Sequence, residues 1–219
     1  MTPRKVYEQE LNEIGSMMTE MGNMAKEAIR LAAESFVSMD LSTVNRVRDL
    51  DVNTYKLLQR AEKHIIRIIA LQTPVARDLR FVATSLKVTT DFERIVRYAK
   101  DIADITERAV QENLSHFKAL VTIPRLAELA CQMVDYAVDS FVNRDLSKTE
   151  LVFNIEEQVD ELYASVIREV LTYMMEDSHK ITMGMCYQFV ARYLERIGDH
   201  ACNIAERVVY METGERVQK

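Results

Sequence analysis

Apolar residues recur at spacings of three and four over most of the chain, which is the period of an amphipathic α-helix. The pattern predicts six helices, over residues 4–39, 43–71, 75–113, 125–143, 147–175 and 182–211. Core-facing positions are expected at Val47, Leu50, Leu57, Leu58, Ile65 and Ile69 in the second helix, and at Leu151, Ile155, Val159, Leu162, Val166 and Val170 in the fifth. We therefore predict an all-α fold.

Local signals mark where these helices begin. Pro3, Pro74 and Pro124 fit the first turn of a helix, where the missing N–H costs nothing. Asp40-Leu41-Ser42 reads as a turn and cap signal, and residues 147–150 match a capping box. Only five glycines and three prolines occur in 219 residues, which favours long helices with few connections.

Charge and cysteine content narrow the functional classes. The formal net charge is −6, and the whole excess of acids lies in the second half of the chain. A nucleic-acid partner is not expected, because such proteins are usually basic. Three widely spaced cysteines suggest reduced thiols, and neither a signal sequence nor a membrane span is predicted. We expect a cytoplasmic protein.

The two halves of the chain repeat each other. Residues 32–41 read AAESFVSMDL and residues 137–146 read AVDSFVNRDL, so seven of ten positions are identical or conservatively replaced. Residues 92–95 (FERI) likewise correspond to residues 194–197 (LERI). The sequence thus predicts two antiparallel three-helix bundles in tandem, with the first repeat over residues 1–115 and the second over residues 116–219.

The sixth predicted helix carries an acidic stripe. Glu195 and Asp199 are four residues apart, so they lie on one face, and Cys202 and Glu206 continue that face. Apolar residues occupy roughly the opposite side, so we expect the acids at the surface. Two interpretations remain open: a solvated face, in which Arg192 pairs with Glu195, or a metal site.

With the repeat, two further features resemble the PhoU family, which regulates phosphate transport and phosphate signalling. One is the stretch QTPVARDLR over residues 72–80, between the second and third helices. The other is the acidic E/D-x-x-x-D pair, present as Glu156 with Asp160 and as Glu195 with Asp199. The resemblance covers nearly the whole chain. It implies the duplicated three-helix fold and a regulatory role without enzymatic activity.

The resemblance also implies partners and a cofactor. It implies a homodimer that reaches the membrane only through partners, which are the ATPase of the phosphate ABC transporter and, in some hosts, a sensor histidine kinase. It implies negative regulation of phosphate uptake. It further implies divalent or iron-type metal ions bound by carboxylates, here Glu156, Asp160, Glu195 and Asp199.

The first repeat departs from this pattern. Asp51 and Glu93 stand at the corresponding ligand positions, but Tyr55 and Arg97 replace the second acid of each pair. Glu93 and Arg97 are spaced for an ordinary ion pair. A first-repeat metal site at Asp51 and Glu93 is therefore expected to be weak or lost, unless the following acids, Asp101 and Asp104, supply ligands.

Other interpretations stay open from the sequence. A carboxylate bundle for iron storage or oxidation is one alternative function, although no Glu-x-x-His element is present. A metal-independent helical scaffold or chaperone-like adaptor is another. His200 is expected at the surface or at the bundle edge. The basic run of the third helix is read as a solvated face or as a docking surface for an acidic partner; it comprises Arg77, Arg80, Lys87, Arg94 and Arg97.

Overall fold

The computed structural model describes residues 3–217 and is almost entirely helical. Its elements are α1 (Pro3–Ser38), α2 (Val44–Gln72), α3 (Ala76–Gln111), α4 (Thr122–Asn143), α5 (Leu146–Glu176), a short 3₁₀ helix (Ser178–Lys180) and α6 (Ile181–Thr213). No strand occurs in this part of the chain. The all-α prediction is confirmed, and the predicted helix ends lie within a few residues of the observed ones.

Helices end on left-handed residues, most of which are not glycine. Positive φ values occur at Met39, Thr73, Asn113 and Arg144, each directly or almost directly after a helix, and at Gly214 after α6. This explains how so few glycines suffice for five helix ends. Met39 and Arg144 are equivalent in the two repeats, so the repeat extends to backbone conformation.

The turn that follows is also repeated. Asp40 accepts a hydrogen bond from the backbone N–H of Ser42 at 2.9 Å, and Asp145 accepts one from Ser147 at 2.9 Å. Asp145 is the N-cap of α5. The predicted capping box beginning at Ser147 was therefore wrong, because Asp145 caps the helix earlier and places Ser147 in its first turn.

The six helices pack as two three-helix groups that share one core. α1, α2 and α3 contact one another, as do α4, α5 and α6, and the groups meet through α1 with α4 and α3 with α6. The buried apolar residues of all six helices form a single cluster. Hence α1, α3, α4 and α6 are central, while α2 and α5 lie outside them and do not contact each other within the described residues.

Equivalent turns of the two repeats lie at opposite ends of the molecule. Near the α2–α3 turn, the Tyr7 hydroxyl of α1 donates to Asp78 at 3.0 Å. The α4–α5 turn lies at this same end, since the Arg144 guanidinium sits 4.8 Å above the Phe81 ring of α3. The α5–α6 turn is therefore at the far end.

Two predicted core positions were wrong by one residue. Ile69 is 36% exposed and Ile68 is buried instead, and Leu151 is 38% exposed while Val152 is buried. Both residues lie at the edge of the apolar stripe, where a 3.6-residue period leaves the facing direction ambiguous.

The connection between the repeats is fixed by a histidine. His116 is within hydrogen-bond distance of the Tyr187 hydroxyl at 3.0 Å and of the Phe36 carbonyl oxygen at 2.9 Å. Both contacts reach the central helices, so the connection packs against the shared core. No described helix is long and apolar enough to cross a membrane.

Candidate functional site

The acids of the second repeat lie along the contact between α5 and α6. Glu156 and Asp160 belong to α5, and Glu195 and Asp199 belong to α6, which packs against it. The Glu195 side chain is only 12% exposed and that of Asp199 31%. Both residues are partly exposed, so they lie at the surface and not in the core, but Glu195 is more covered than a solvated face would be, because α6 is contacted by α3, α4 and α5.

Three of these carboxylates influence one another. Burial raises the pKa of Glu195, the nearby Asp199 raises it further, and Asp160 adds to the effect. The pKa of Asp160 is likewise raised by burial and by Asp199. Arg192 acts in the opposite direction on both. The structure therefore brings the predicted acids of α5 and α6 into one electrostatic environment.

Glu156 lies beside a buried thiol. Cys202 is 2% exposed, burial raises the pKa of its thiol above the usual range, and Glu156 adds to this by its charge and a hydrogen bond. Cys131 is also buried and Cys186 partly so, and all three are free. The free cysteines agree with the prediction of reduced thiols. The buried Cys202 interrupts the acidic stripe of α6.

Two arginines form ion pairs with the carboxylates of α6. Arg192 Nη1 donates to Glu195 at 2.8 Å, which is the pair expected for a solvated face, and Arg196 Nη1 donates to Asp199 at 2.7 Å. Glu195 Oε2 is buried and accepts no hydrogen bond, and it lies 3.8 Å from Arg196 Nε. Half of this carboxylate is thus poorly satisfied, which agrees with its raised pKa.

The observed side chains do not form a metal-ligand set. Among the residues that the structure describes, no group of three or more His, Cys, Asp or Glu side chains could hold a metal ion. Divalent cations need several oxygens that converge on one point. As folded, the acids of the second repeat form a cluster paired with Arg192 and Arg196.

In the first repeat, an arginine joins the two predicted ligands. Arg97 Nε donates to Asp51 of α2 at 2.9 Å, and Arg97 Nη2 donates to Glu93 of α3 at 2.8 Å. Both acids are largely buried, with 13% and 12% of their side chains exposed. Asp51 and Glu93 are therefore brought together around a guanidinium, and the predicted Glu93–Arg97 ion pair is confirmed.

Neighbouring charges extend this arrangement along α3. Arg48 of α2 binds Asp104 at 2.7 Å and Glu107 at 2.6 Å, and Lys100 binds Asp104 at 2.6 Å. Burial alone would raise the pKa of Asp104, but the hydrogen bonds from Lys100 and Arg48 outweigh it and lower that pKa. Asp104 is thus neutralised by cations of the chain itself.

The sequence analysis missed a hydrogen-bonded triad around the buried Asp91, between the repeats. Asp91 of α3, whose side chain is 6% exposed, accepts hydrogen bonds from His200 Nδ1 at 2.9 Å and Arg207 Nε at 2.8 Å, both on α6. His200 lies at the bundle edge, as predicted. The available signal was the position of Asp91 itself, which falls on the buried stripe between Val88 and Phe92.

The basic run on α3 does not form one continuous stripe of free cations. Arg80 Nε donates to the Met211 carbonyl oxygen at 3.0 Å, and Arg94 lies 3.7 Å from Glu93. Lys87 lines a cleft of about 430 Å³ together with Arg207 and Arg216. These side chains contact different neighbours within the chain, so the run is divided into separate contacts.

Comparison with known proteins identifies the family. The family model of the PhoU domain matches the chain twice, over residues 18–106 and residues 123–208. Each match spans one three-helix group, so the internal repeat is a repeat of this domain.

Named relatives match over almost the whole chain. The protein from Clostridium acetobutylicum is 34% identical over 215 residues, which is 98% of this chain and 97% of that protein. The protein from Zymomonas mobilis is 33% identical over 213 residues, covering 97% of this chain and 89% of that protein. Both are named phosphate-specific transport system accessory protein PhoU homolog.

Two solved structures have the same fold as this chain. The crystal structure of PhoU from Pseudomonas aeruginosa is 30% identical and superimposes with a TM-score of 0.90, covering 95% of this chain and 100% of that one. The phosphate transport system regulatory protein PhoU from Streptococcus pneumoniae, 26% identical, gives a TM-score of 0.87 with 97% and 100% coverage. The sequence, the repeat and the fold therefore place this chain in the PhoU family.

Proposed function

We propose that this chain is a cytoplasmic accessory regulator of a phosphate-specific transport system. It would restrain phosphate uptake when phosphate is plentiful, by contacting the ATPase of the transporter and, in hosts that have one, the sensor histidine kinase of the phosphate response. It would act as a homodimer and without catalysing a reaction. The observation that carries the proposal is the near-full-length likeness to named accessory proteins, together with the shared fold.

The architecture suits a role in protein binding. Six long helices share one core and leave broad helix faces at the surface, above all those of the outer helices α2 and α5. Many carboxylates of the candidate site are already paired with arginines. Such a body presents surfaces to partners more readily than it encloses a substrate.

The test is phosphate uptake in host cells that lack this chain. Cells without it should import phosphate faster in phosphate-rich medium, and expression of the wild-type chain should restore low uptake. Co-precipitation should recover the transporter ATPase with the tagged chain and not with a tagged helical protein of similar size. Unchanged uptake together with an empty co-precipitation, tried with and without phosphate, would overturn the proposal.

Metal binding by the acids of α5 and α6 is a separate part of the proposal. It requires Arg192 and Arg196 to release Glu195 and Asp199, since both carboxylates are paired in the structure. We expect elemental analysis of protein purified without chelators to find about one or more iron, zinc or similar ions per chain. Asp199→Asn should lose them, and Asp49→Asn, an exposed acid on α2, should not.

The opposite result is equally informative. If neither the wild type nor Asp199→Asn holds metal after soaking, the acids are an ion-pair cluster and regulation rests on helix surfaces alone. That outcome would favour the metal-independent scaffold, for which Asp160→Asn and Asp199→Asn would also be silent in the uptake assay.

A further inference from the structure

A cleft of about 430 Å³ lies at the seam between the two repeats, where the first half of α3 faces the last turns of α6. Three cations line it, Lys87, Arg207 and Arg216, against one carboxylate, Glu206. This balance is the reverse of that of the whole chain, whose formal net charge is −6. A cleft that concentrates positive charge on an acidic protein favours an anionic ligand.

Arg207 is fixed in this cleft by the buried Asp91. Its Nε donates to one oxygen of Asp91 at 2.8 Å, while His200 Nδ1 lies 2.9 Å from the other. Among the residues that the structure describes, the two terminal nitrogens of the Arg207 guanidinium have no hydrogen-bond acceptor. A guanidinium that is already oriented by a carboxylate loses little further side-chain entropy when its remaining N–H groups bind an oxyanion.

Thr84 brings an unused hydroxyl to the same cleft. Its neighbours on α3, Ser85, Thr89 and Thr90, each donate the hydroxyl to a carbonyl oxygen of their own helix. Thr84 is only 4% exposed, yet its hydroxyl forms no hydrogen bond with any described residue. Largely buried polar side chains are ordinarily paired. Because Thr84 lines the cleft, its hydroxyl is available to a ligand there.

The other donors of the cleft are also available. Lys87 and Arg216 are exposed and form no ion pair within residues 3–217, and the Tyr210 hydroxyl makes no hydrogen bond there. The lining therefore offers two guanidinium groups, one ammonium group and two hydroxyls.

This donor set suits a phosphoryl group better than a carboxylate. A phosphoryl group carries close to two negative charges and three strong acceptor oxygens, and it pairs with guanidinium groups in a bidentate manner. The volume of the cleft is within the range of small-molecule sites, so it also leaves room for an organic group beside the ring of Tyr210.

We propose that this cleft binds a phosphoryl group, either of free phosphate or of a small phosphate ester. Arg207 anchors the group, Lys87 and Arg216 balance its charge, and Thr84 and Tyr210 donate to its oxygens. The inference goes beyond the proposed function, because it gives a regulator of phosphate uptake a ligand to which it can respond. It rests on the cleft alone, so the purified chain tests it without the transporter.

Calorimetric titration with inorganic phosphate, in a buffer free of other phosphate, measures the binding. The wild type should give a saturable heat at millimolar or lower phosphate. Thr84→Val removes the hydroxyl and keeps the shape of the side chain. Since that hydroxyl has no partner in the protein, the variant should keep the wild-type melting temperature but bind phosphate about tenfold more weakly, as expected for a lost hydrogen bond to a charged group.

A double variant tests the charges of the cleft. Lys87→Gln with Arg216→Gln removes two exposed cations, so the fold should be unchanged and the affinity for phosphate should fall by about tenfold or more. The matched control is Lys56→Gln with Arg60→Gln, which removes one exposed lysine and one exposed arginine of α2, outside the cleft. The control should bind phosphate like the wild type. Equal losses in the two double variants would trace the effect to net charge and overturn the site.

Titration with AMP distinguishes the two sources of the phosphoryl group. AMP that binds at least as tightly as phosphate assigns the cleft to phosphate esters, and binding of phosphate without AMP assigns it to free phosphate. The proposal is overturned if neither ligand gives a saturable heat, or if Thr84→Val and the double variant of the cleft bind as tightly as the wild type. Failure of the proposed function would show instead as unchanged phosphate uptake in cells without the chain, whatever the titrations give.

Discussion

The carboxylate pairs of the two repeats differ at two positions, Tyr55 against Asp160 and Arg97 against Asp199, and the second difference reverses a charge. Arg97 in α3 and Asp199 in α6 are equivalent residues, because residues 92–95 align with residues 194–197 and the same offset relates residue 97 to residue 199. With arginine at this position, two acids of the first repeat are joined by a cation of the protein itself. With aspartate there, the acids of the second repeat repel one another and rely on Arg192 and Arg196.

Arg97→Ala should destabilise the protein. It leaves the Asp51 and Glu93 carboxylates largely buried without their shared cation, a change that costs 3–5 kcal/mol when both partners are fully buried. Because the Arg97 side chain is 41% exposed, solvent screening reduces the expected loss to about 1–2 kcal/mol. Urea unfolding at pH 7 measures it.

The matched control for Arg97→Ala is Arg94→Ala on the same helix. Arg94 is more exposed and lies 3.7 Å from Glu93, so its loss should cost less than about 0.5 kcal/mol. Equal effects of the two substitutions would show that the bridge to Asp51 contributes nothing.

Glu195→Gln should stabilise the protein at neutral pH, whereas Arg97→Ala should destabilise it. A carboxyl whose pKa is raised by folding loses stability as the pH rises through that pKa, so ionised Glu195 destabilises the fold at pH 7. The substitution should therefore raise the melting temperature at pH 7. The advantage should shrink as the pH falls through the raised pKa of Glu195, and it should be gone below the ordinary Glu value of about 4.3, where the carboxyl is neutral in both the folded and the unfolded protein.

Melting curves from pH 4 to pH 8 test this, with Glu157→Gln as the control. Glu157 is exposed on α5, and its substitution should give no comparable pH dependence. A variant less stable than the wild type at pH 7 would mean that the ion pair of Glu195 with Arg192 outweighs its burial and the repulsion from Asp199.

At the scale of elements, the sequence predicted six helices because apolar periodicity and helix breakers agree. It did not predict which elements cover α6. A helical face opposite the apolar stripe is ordinarily solvated, yet α3, α4 and α5 all contact α6, so Glu195 is largely buried. The partners of Asp91 could not be predicted either, because His200 and Arg207 lie more than a hundred residues away in the sequence. Only the packing of α3 on α6 brings them to Asp91.

The approach of α1 to α4 depends on a glycine. A Cβ added at Gly22 would lie 2.3 Å from Val138 Cγ2, so Gly22→Ala must push α4 away or distort a stiff β-branched side chain. We expect a loss of about 1–3 kcal/mol, as for an overpacked core. Chemical denaturation of the two proteins side by side gives the difference.

Gly15→Ala on the same helix is the matched control for Gly22→Ala. A Cβ there meets nothing within 4 Å, so only helix propensity changes and stability should rise by about 0.5–1 kcal/mol. If both alanines stabilise the protein, α1 and α4 pack less tightly than the structure shows.

At the scale of the whole molecule, the repeat is not a pair of independent domains. The four central helices come from both halves and share one core, which is also crossed by the Asp91 triad and by the stacked rings of Tyr98 and Tyr193, 5.6 Å apart. Separating the halves would expose the faces that α1 and α3 present to α4 and α6. We therefore expect the duplicated chain to behave as one folding unit.

This architecture predicts a single cooperative unfolding transition that includes α2 and α5. The chain has no tryptophan, so Tyr55→Trp on α2 and Phe153→Trp on α5 give separate reporters of the two outermost helices. Each fluorescence midpoint in urea should coincide with the midpoint from circular dichroism, because each outer helix packs on central helices that unfold together. If one reporter changes at clearly lower urea, its helix separates from the shared core first, and the two repeats differ in local stability as well as in charge.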